Sequence, residues 1–490
     1  QFLDATIATV ALPHMRTSLG ASVDSVSWVL TSFIMAGAIV TPITGWLSDR
    51  FGSRRLFLFA TISFLVASAL CGAATSLVAM VAFRSLQGAA SALMGPLSQT
   101  VIFDINPPSK QSRAIALWGT VSMVAPISGP FLGGFLTDYL NWRWVYYVNL
   151  PIGIPAILAL WFLLPSRPLV ARQLDKISFA SIALGLGSLQ LALDRGQGAD
   201  WLHSWEIIIE GAIAVSCLWI FVTRSVFITR PLFNRALFRN TYFIAGIVFM
   251  IMLGMANVAL SATLPTMYQN IYGYSVITTG LLMAPRGIGL VLTMLLPQSV
   301  TGRIDFRVLI CCGFMLLAFA LRMMAHWSLD MEPSHIVVAG LIQGVGLGMI
   351  FTPINMLAFG SLDASLRTDG SSLMGLFRNL GGSFGISFIV TFLARNTQVS
   401  HADLASHITS SSLPVIDIGT LAGIGQDNAG MVMAMVDGEV NRQAMMISYI
   451  DTFYVLSWAL LAFSPLPFLL RKKKPAAAVL AGAERDMASH

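Results

Sequence analysis

The chain has 490 residues, 56% of them hydrophobic and only 11% charged, with mean hydropathy +0.75 and formal net charge +6. A soluble protein of ordinary composition carries about 25% charged residues. Most of this surface therefore faces something other than water, and a water-soluble globular domain is excluded. The positive balance follows from basic loops and an RKKK tail and needs no nucleic-acid partner.

A membrane span takes about 20 mostly apolar residues. Such stretches recur at 24–47, 55–75, 77–103, 112–137, 144–165, 176–193, 207–228, 241–267, 278–300, 308–327, 336–359, 369–394 and 449–470. The opening segment Gln1–Pro13 makes a fourteenth, expected to be truncated inside its helix, with no basic n-region or cleavage site of a signal peptide visible in it. This predicts an all-α membrane protein of two six-helix bundles, 1–166 and 236–490, with linkers and two inserted helices in 167–235. When the loop after the second span is set inside and the rest alternate, 20 of the 29 Lys and Arg residues fall inside, 5 outside and 4 within spans. That asymmetry orients the chain with both termini cytoplasmic.

Taken along the chain, the first chemical signal is Asp4 in LDATIATVALP. An acid in a span costs about 2.5–3.5 kcal/mol at the centre on insertion scales and is usually kept for a proton, an ion or a partner charge. Next comes GWLSDRFGSRR, with Gly45 and Gly52 for a tight connection, Asp49 suited to a helix N-terminus, and Arg50, Arg54 and Arg55 on the cytoplasmic face. It reads as a conformational latch. Arg84 in RSLQGAA is expected to pair with Asp4, since both lie about 10–14 Å inside the outer ends of their spans. Gln87 and Gly88 extend its polar, close-packed face. Farther on, Pro126 and Pro130 in APISGPFLGG bend a helix, while Gly129, Gly133 and Gly134 form a small-residue packing face.

In the second half the echoes TGRIDFR and GLIQGVGLGMIFTP suggest a duplicated plan with a site at the shared midplane. Arg286 and Arg378 lie within spans, and with Gln87 and Asn257 they are expected to line a substrate cavity. Three arginines against one acid predict a cavity that is neutral to positive once Asp4 is protonated, favouring lipophilic weak acids or neutral compounds over permanent cations. The outer loop 395–448 is expected to cover the mouth, touch a partner or simply lie on the surface. Four cysteines, Cys71, Cys217, Cys311 and Cys312, all within spans, give no disulfide or metal pattern. No catalytic motif is present, so neither an enzyme nor a metal site is expected.

GWLSDRFGSRR, RSLQGAA and APISGPFLGG resemble the loop, span-four and antiporter motifs of the major facilitator superfamily. LDATIATVALP and NWRWVYYVNLPIG are similar to its fourteen-span drug:proton antiporter group, DHA2. GSLQLALDRGQGADW and the long outer loop resemble EmrB-type multidrug exporters. Ser53 stands where the loop motif often has a basic residue. The resemblance implies proton-driven export of hydrophobic toxic compounds, fatty acids or bile-type acids among them, from a Gram-negative inner membrane, with no cofactor beyond the proton gradient. It also implies a periplasmic membrane-fusion adaptor of the EmrA type and an outer-membrane channel of the TolC type. On that basis Asp4 and Arg84 take the proton-coupling places and Asp49 the latch. The other reading the residues allow is proton-coupled uptake of a small metabolite, against which the span-five motif argues.

Overall fold

The computed structural model describes residues 2–164, 169, 173–229, 231–294, 304–407 and 426–470. The basic tail beyond Leu470, most of the first basic linker and Thr301–Arg303 of the second-half loop motif lie outside the described residues. Every regular element described is helical. This is what lipid imposes on an apolar chain, since a helix satisfies its own backbone polar groups.

Among the described residues, twelve helical stretches are long and apolar enough to cross a membrane, and a bent pair within Lys110–Tyr139 makes a thirteenth. Helix α1 (Phe2–Ser18), expected as the first span, has 17 residues and is not among these candidates. In the first half, α3 (Trp28–Val40) and α4 (Thr44–Phe51) form one span with a 3-10 turn between them. They are followed by α5 (Ser53–Ala73), α6 (Leu77–Ile105), α7 (Pro108–Tyr139) and a broken span made of α8 (Trp144–Tyr147) and α9 (Asn149–Leu163). A four-residue turn of helix, α2 (Val23–Val26), lies between the first two spans. Helix α6 packs between α3 and α5, and α1 lies along α7.

The inserted pair is α10 (Lys176–Arg195) and α11 (Trp205–Phe227), with a short α12 (Arg235–Arg239) beyond. In the second half come α13 (Thr241–Asn270), α14 (Val276–Met294), α15 (Phe306–Met324), α16 (Pro333–Phe359), α17 (Arg367–Ser406) and α18 (Gln426–Phe463). Here α13 packs on α17, α16 lies between α14 and α15, and α18 closes the bundle against α15 and α17. Side-chain caps start several of these helices: Ser76 accepts from the Ala79 N–H at 3.3 Å, and Asn240 accepts from Tyr242 and Phe243 at 3.0 and 3.2 Å.

The halves join at the end where Arg50, Arg54, Arg55 and Arg367 gather, the basic end. There α17 packs against α4 and α6, and α7 reaches α16. Along one seam α7 and α14 lie side by side, while the other is bridged by α10, wedged between α3 and α17. Thr31 of α3 donates to Asp194 of α10, and Ser383 of α17 donates to Gln190 of α10 at 2.9 Å. Trp201, just past α10, donates its indole N–H to Thr391 of α17 at 3.1 Å.

Two expectations change. The first span does not stop at Pro13 but continues to Ser18, because a proline is tolerated within membrane helices. The segment 395–448 is not an open loop in its described parts. Helix α17 continues to Ser406, and α18 is already helical at Gln426. The two arms are joined by Asn396 to Asp451 at 2.6 Å, Thr397 to Ser448 at 3.0 Å and His401 to Asp437 at 3.0 Å. Hydropathy drops where lipid ends, but Thr391–Ser406 contains neither glycine nor proline, so nothing stops the helix there.

Candidate functional site

Asp4 sits in the first turn of α1 with its side chain completely buried. Its carboxylate receives three donors from two other elements. Arg84 Nη1 of α6 lies 2.8 Å from Oδ2, Gln87 Nε2 of the same helix 3.1 Å from Oδ1, and Asn149 Nδ2 of α9 2.8 Å from Oδ1. A buried ion pair is tolerated when its remaining donors and acceptors are met. Here Arg84 also gives Nε to the Val29 carbonyl at 3.0 Å and Nη1 to Gln87 Oε1 at 2.8 Å, while its Nη2 finds no hydrogen-bond acceptor among the described residues. Its guanidinium lies 4.3 Å from the Phe33 ring centre and 5.6 Å from that of Tyr146, a cation–π clasp in place of water. Gly88 makes the clasp possible: a Cβ there would collide with the Phe33 backbone.

The expected packing face of α7 holds α1 in register with this cluster. A Cβ on Gly129 would run into Thr6, and one on Gly133 would meet the Ile7 carbonyl at 2.8 Å, both within a turn of Asp4. Gly134 turns the other way, where a Cβ would meet Val276 of α14 at 2.8 Å. The helix bends by 46° between the stretch ending at Pro126 and the stretch starting at Phe131, consistent with the missing backbone donors of a proline pair. The side chain of Pro130 lies outside the described set.

The loop motif occupies the basic end. Gly52 ends α4 at φ 83°, a left-handed conformation that glycine adopts freely. Arg50 lies 5.4 Å from the Trp46 ring centre, and Arg54 donates to the Trp161 carbonyl. Asp49 lies in the last turn of α4 rather than at a helix N-terminus, so the dipole argument does not apply to it as expected. The contact between halves is made by Gly45, whose missing side chain leaves room for Asp369 in the first turn of α17.

A cavity lies between the halves, lined by Thr41, Gly95, Gln99, Trp118, Ser371, Arg378 and Asn379 among others. Arg378 is its cation. On the basic side Ser371 donates to Gln99 Oε1, and Gln99 Nε2 reaches Asn355 Oδ1 at 3.4 Å. Arg367 lies 3.9 Å from Asp104 nearby.

Gln87, Arg286 and Asn257, also expected on a cavity, are not among the residues lining this one. Gln87 is wholly buried in the Asp4 cluster. Arg286, 2% exposed, is packed inside the second bundle, where it donates to the Asn257 side-chain and backbone oxygens at 2.5 and 3.2 Å. Its Nε and Nη1 find no hydrogen-bond acceptor among the described residues. Sequence reasoning missed Asn149 and the Gln99–Ser371–Asn355 link. Asn149 had a readable signal, a lone amide in the apolar string YYVNLPIG.

Two packed helical bundles with a cavity between them and a buried acid–arginine pair inside one define a secondary membrane transporter rather than an enzyme. A family model described as Major Facilitator Superfamily matches residues 1–386. The multidrug export protein EmrB of Haemophilus influenzae is 38% identical over 421 residues, covering 83% of this chain and 81% of that protein. EmrB of Escherichia coli K12 is 33% identical, with 93% and 90% covered. The fatty acid resistance protein FarB of Neisseria gonorrhoeae is 32% identical, with 96% and 93% covered. The human organic anion transporter MFSD10 (TETRAN) superposes with TM-score 0.56 at 14% identity, covering 94% of this chain and 97% of that one, which speaks to fold alone. The chain belongs to the major facilitator superfamily, in its EmrB-type branch.

Proposed function

We propose that this protein is a proton-coupled antiporter that exports hydrophobic and amphipathic toxic compounds, weak acids and fatty acids among them, across a bacterial inner membrane. The observation that carries the reading is the buried Asp4–Arg84 pair at 2.8 Å. A carboxylate walled from water, held by a guanidinium and two amides, can exchange a proton only when the surrounding helices move, and that requirement is what couples a gradient to a conformational cycle. Arg84 offsets the negative charge while Asp4 is ionised. Protonation removes one side of the ion pair and loosens α1 from α6.

With the basic end facing the cytoplasm, the Gln99–Ser371 and Gly45–Asp369 contacts close the cavity on that side. Arg378 then offers a positive charge to substrates entering between the halves. The names of the relatives, multidrug export and fatty acid resistance, support this substrate class. On the same resemblance the protein works with a periplasmic adaptor of the EmrA type and an outer-membrane channel of the TolC type.

Everted membrane vesicles test the reading. Adding a lipophilic acid to energised vesicles should release protons from the lumen with the parent and not with Asp4→Asn. Proton release that persists in Asp4→Asn would remove Asp4 from the mechanism, and proton movement in the opposite direction would mark uptake by symport.

A further inference from the structure

The contacts of Asp4 contain an asymmetry. All three side chains touching its carboxylate act as donors: Arg84, Gln87 and Asn149. That shell suits the ionised acid. A neutral carboxyl carries a hydroxyl that must itself donate, and buried without an acceptor it is left unsatisfied. Some neighbour must therefore present an oxygen when the proton arrives. Arg84 has no acceptor atom. Gln87 is locked, because its Oε1 accepts from Arg84 at 2.8 Å and turning it would set its NH2 against the guanidinium.

Asn149 is not locked in this way. Its Nδ2 donates to Asp4 Oδ1 at 2.8 Å and to Ser68 Oγ at 3.0 Å, and Ser68 donates onward to the Tyr146 carbonyl at 2.8 Å. A serine hydroxyl can donate or accept by rotating. If the Asn149 amide turns by half a revolution, its oxygen accepts from the Asp4 hydroxyl and from Ser68. The Tyr146 carbonyl gives up the Ser68 hydroxyl in this turn, since the Val148 N–H is directed to the Trp144 carbonyl at 3.0 Å.

We infer that Asn149 is a positioning residue that reads the protonation state of Asp4, its side-chain amide and the Ser68 hydroxyl turning together when Asp4 takes up a proton. The inference rests on Asp4 being the proton carrier. The proton comes from water on the open side and returns to water on the other, so only hydrogen bonds are exchanged within the cluster. Asn149 opens α9 immediately after the break that separates it from α8.

The other titratable groups beside the cluster are the Tyr146 ring, against Arg84, and Cys71 of α5, whose Sγ lies 3.8 Å from Gln87 Oε1. Helix α3 has no titratable residue, and those of α7, Lys110, Arg113, Asp138 and Tyr139, lie near its ends.

Infrared difference spectra of the purified full chain, taken between neutral and acid pH, test this. The parent should show a protonated carboxyl band that Asp4→Asn lacks, together with a side-chain amide change of the same midpoint. In Asn149→Leu the amide change should vanish and the carboxyl band should move to higher frequency, with proton-coupled efflux reduced at least tenfold while substrate binding stays intact. If the carboxyl band of Asn149→Leu matches that of the parent, the inference is overturned. A carboxyl band that survives in Asp4→Asn sinks the proton-carrier reading itself, and this inference with it. Should Asn149→Leu fail to fold, side-chain 13C-asparagine labelling of the parent carries the same test. The amide change must shift with the label, and an unshifted change assigns the response elsewhere and overturns the proposal.

Discussion

Gly45 of α4 and Asp369 of α17 approach so closely that a methyl group on the glycine would occupy the space of the aspartate carboxylate. Asp369 is itself buried, 4% exposed, so it cannot swing aside into water. Gly45→Ala should therefore weaken the closure at the basic end, and Gly45→Val should weaken it further. Efflux rates in a pump-deficient host should fall in that order while the amount of protein in the membrane stays level. Equal rates for all three would show that this contact does not govern the cycle.

Removing one partner of the buried pair should be worse than removing both. Arg84→Gln leaves the Asp4 carboxylate without its cation, a change that costs about 3–5 kcal/mol when the remaining charge stays buried. The double variant Asp4→Asn/Arg84→Gln leaves no charge behind and should recover much of that loss. Thermal unfolding of detergent-purified single and double variants measures it as a non-additive cycle. Additive losses would mean that the two side chains do not share one environment.

Arg378 and Arg286 separate by location. Arg378→Gln should reduce efflux of a lipophilic carboxylic acid about tenfold, the effect of losing about 1.4 kcal/mol of charge-assisted contact, and leave a lipophilic cation unchanged or improved. Arg286→Gln, which loses its bonds to Asn257 in the second bundle, should lower transport of both substrates alike. Minimum inhibitory concentrations on paired acid and cation panels decide between these patterns.

Outside the membrane, Asp175 precedes α10 and lies 3.2 Å from Arg224 near the end of α11. Burial pushes its carboxyl up, but hydrogen bonds from Ser178 and the Arg224 charge outweigh that and hold it below the ordinary 3.8. A group lowered on folding contributes stability above its unfolded value and loses it as pH falls through the folded one. Asp175→Asn should therefore destabilise the inserted pair at neutral pH by about 1 kcal/mol and make no difference well below pH 3.8. Unfolding of parent and variant across that range gives the comparison.

The spans were legible because lipid demands a long apolar run, and their observed bounds mostly lie within a few residues of the hydropathy edges. Asp4 and Arg84 were legible for the opposite reason: a charge is conspicuous in such a run. Asn149 was harder, since an amide barely disturbs hydropathy and its importance comes from a partner 145 positions away. The Ser371–Gln99 bond joins residues 272 apart and has no local signature at all. The helical arms beyond Arg395 were hidden by reading helix ends from hydropathy.

Helix α10 holds one bundle through Thr31 and the other through Ser383. A carrier whose halves tilt freely could splay on either flank, but here one flank carries a stitched brace. Such a brace should make the stroke lopsided, with the α7–α14 flank expected to slide and the α3–α17 flank to flex only as far as a single interposed cylinder permits. Trimming the two inserted helices away should therefore yield a looser machine and not a simpler one.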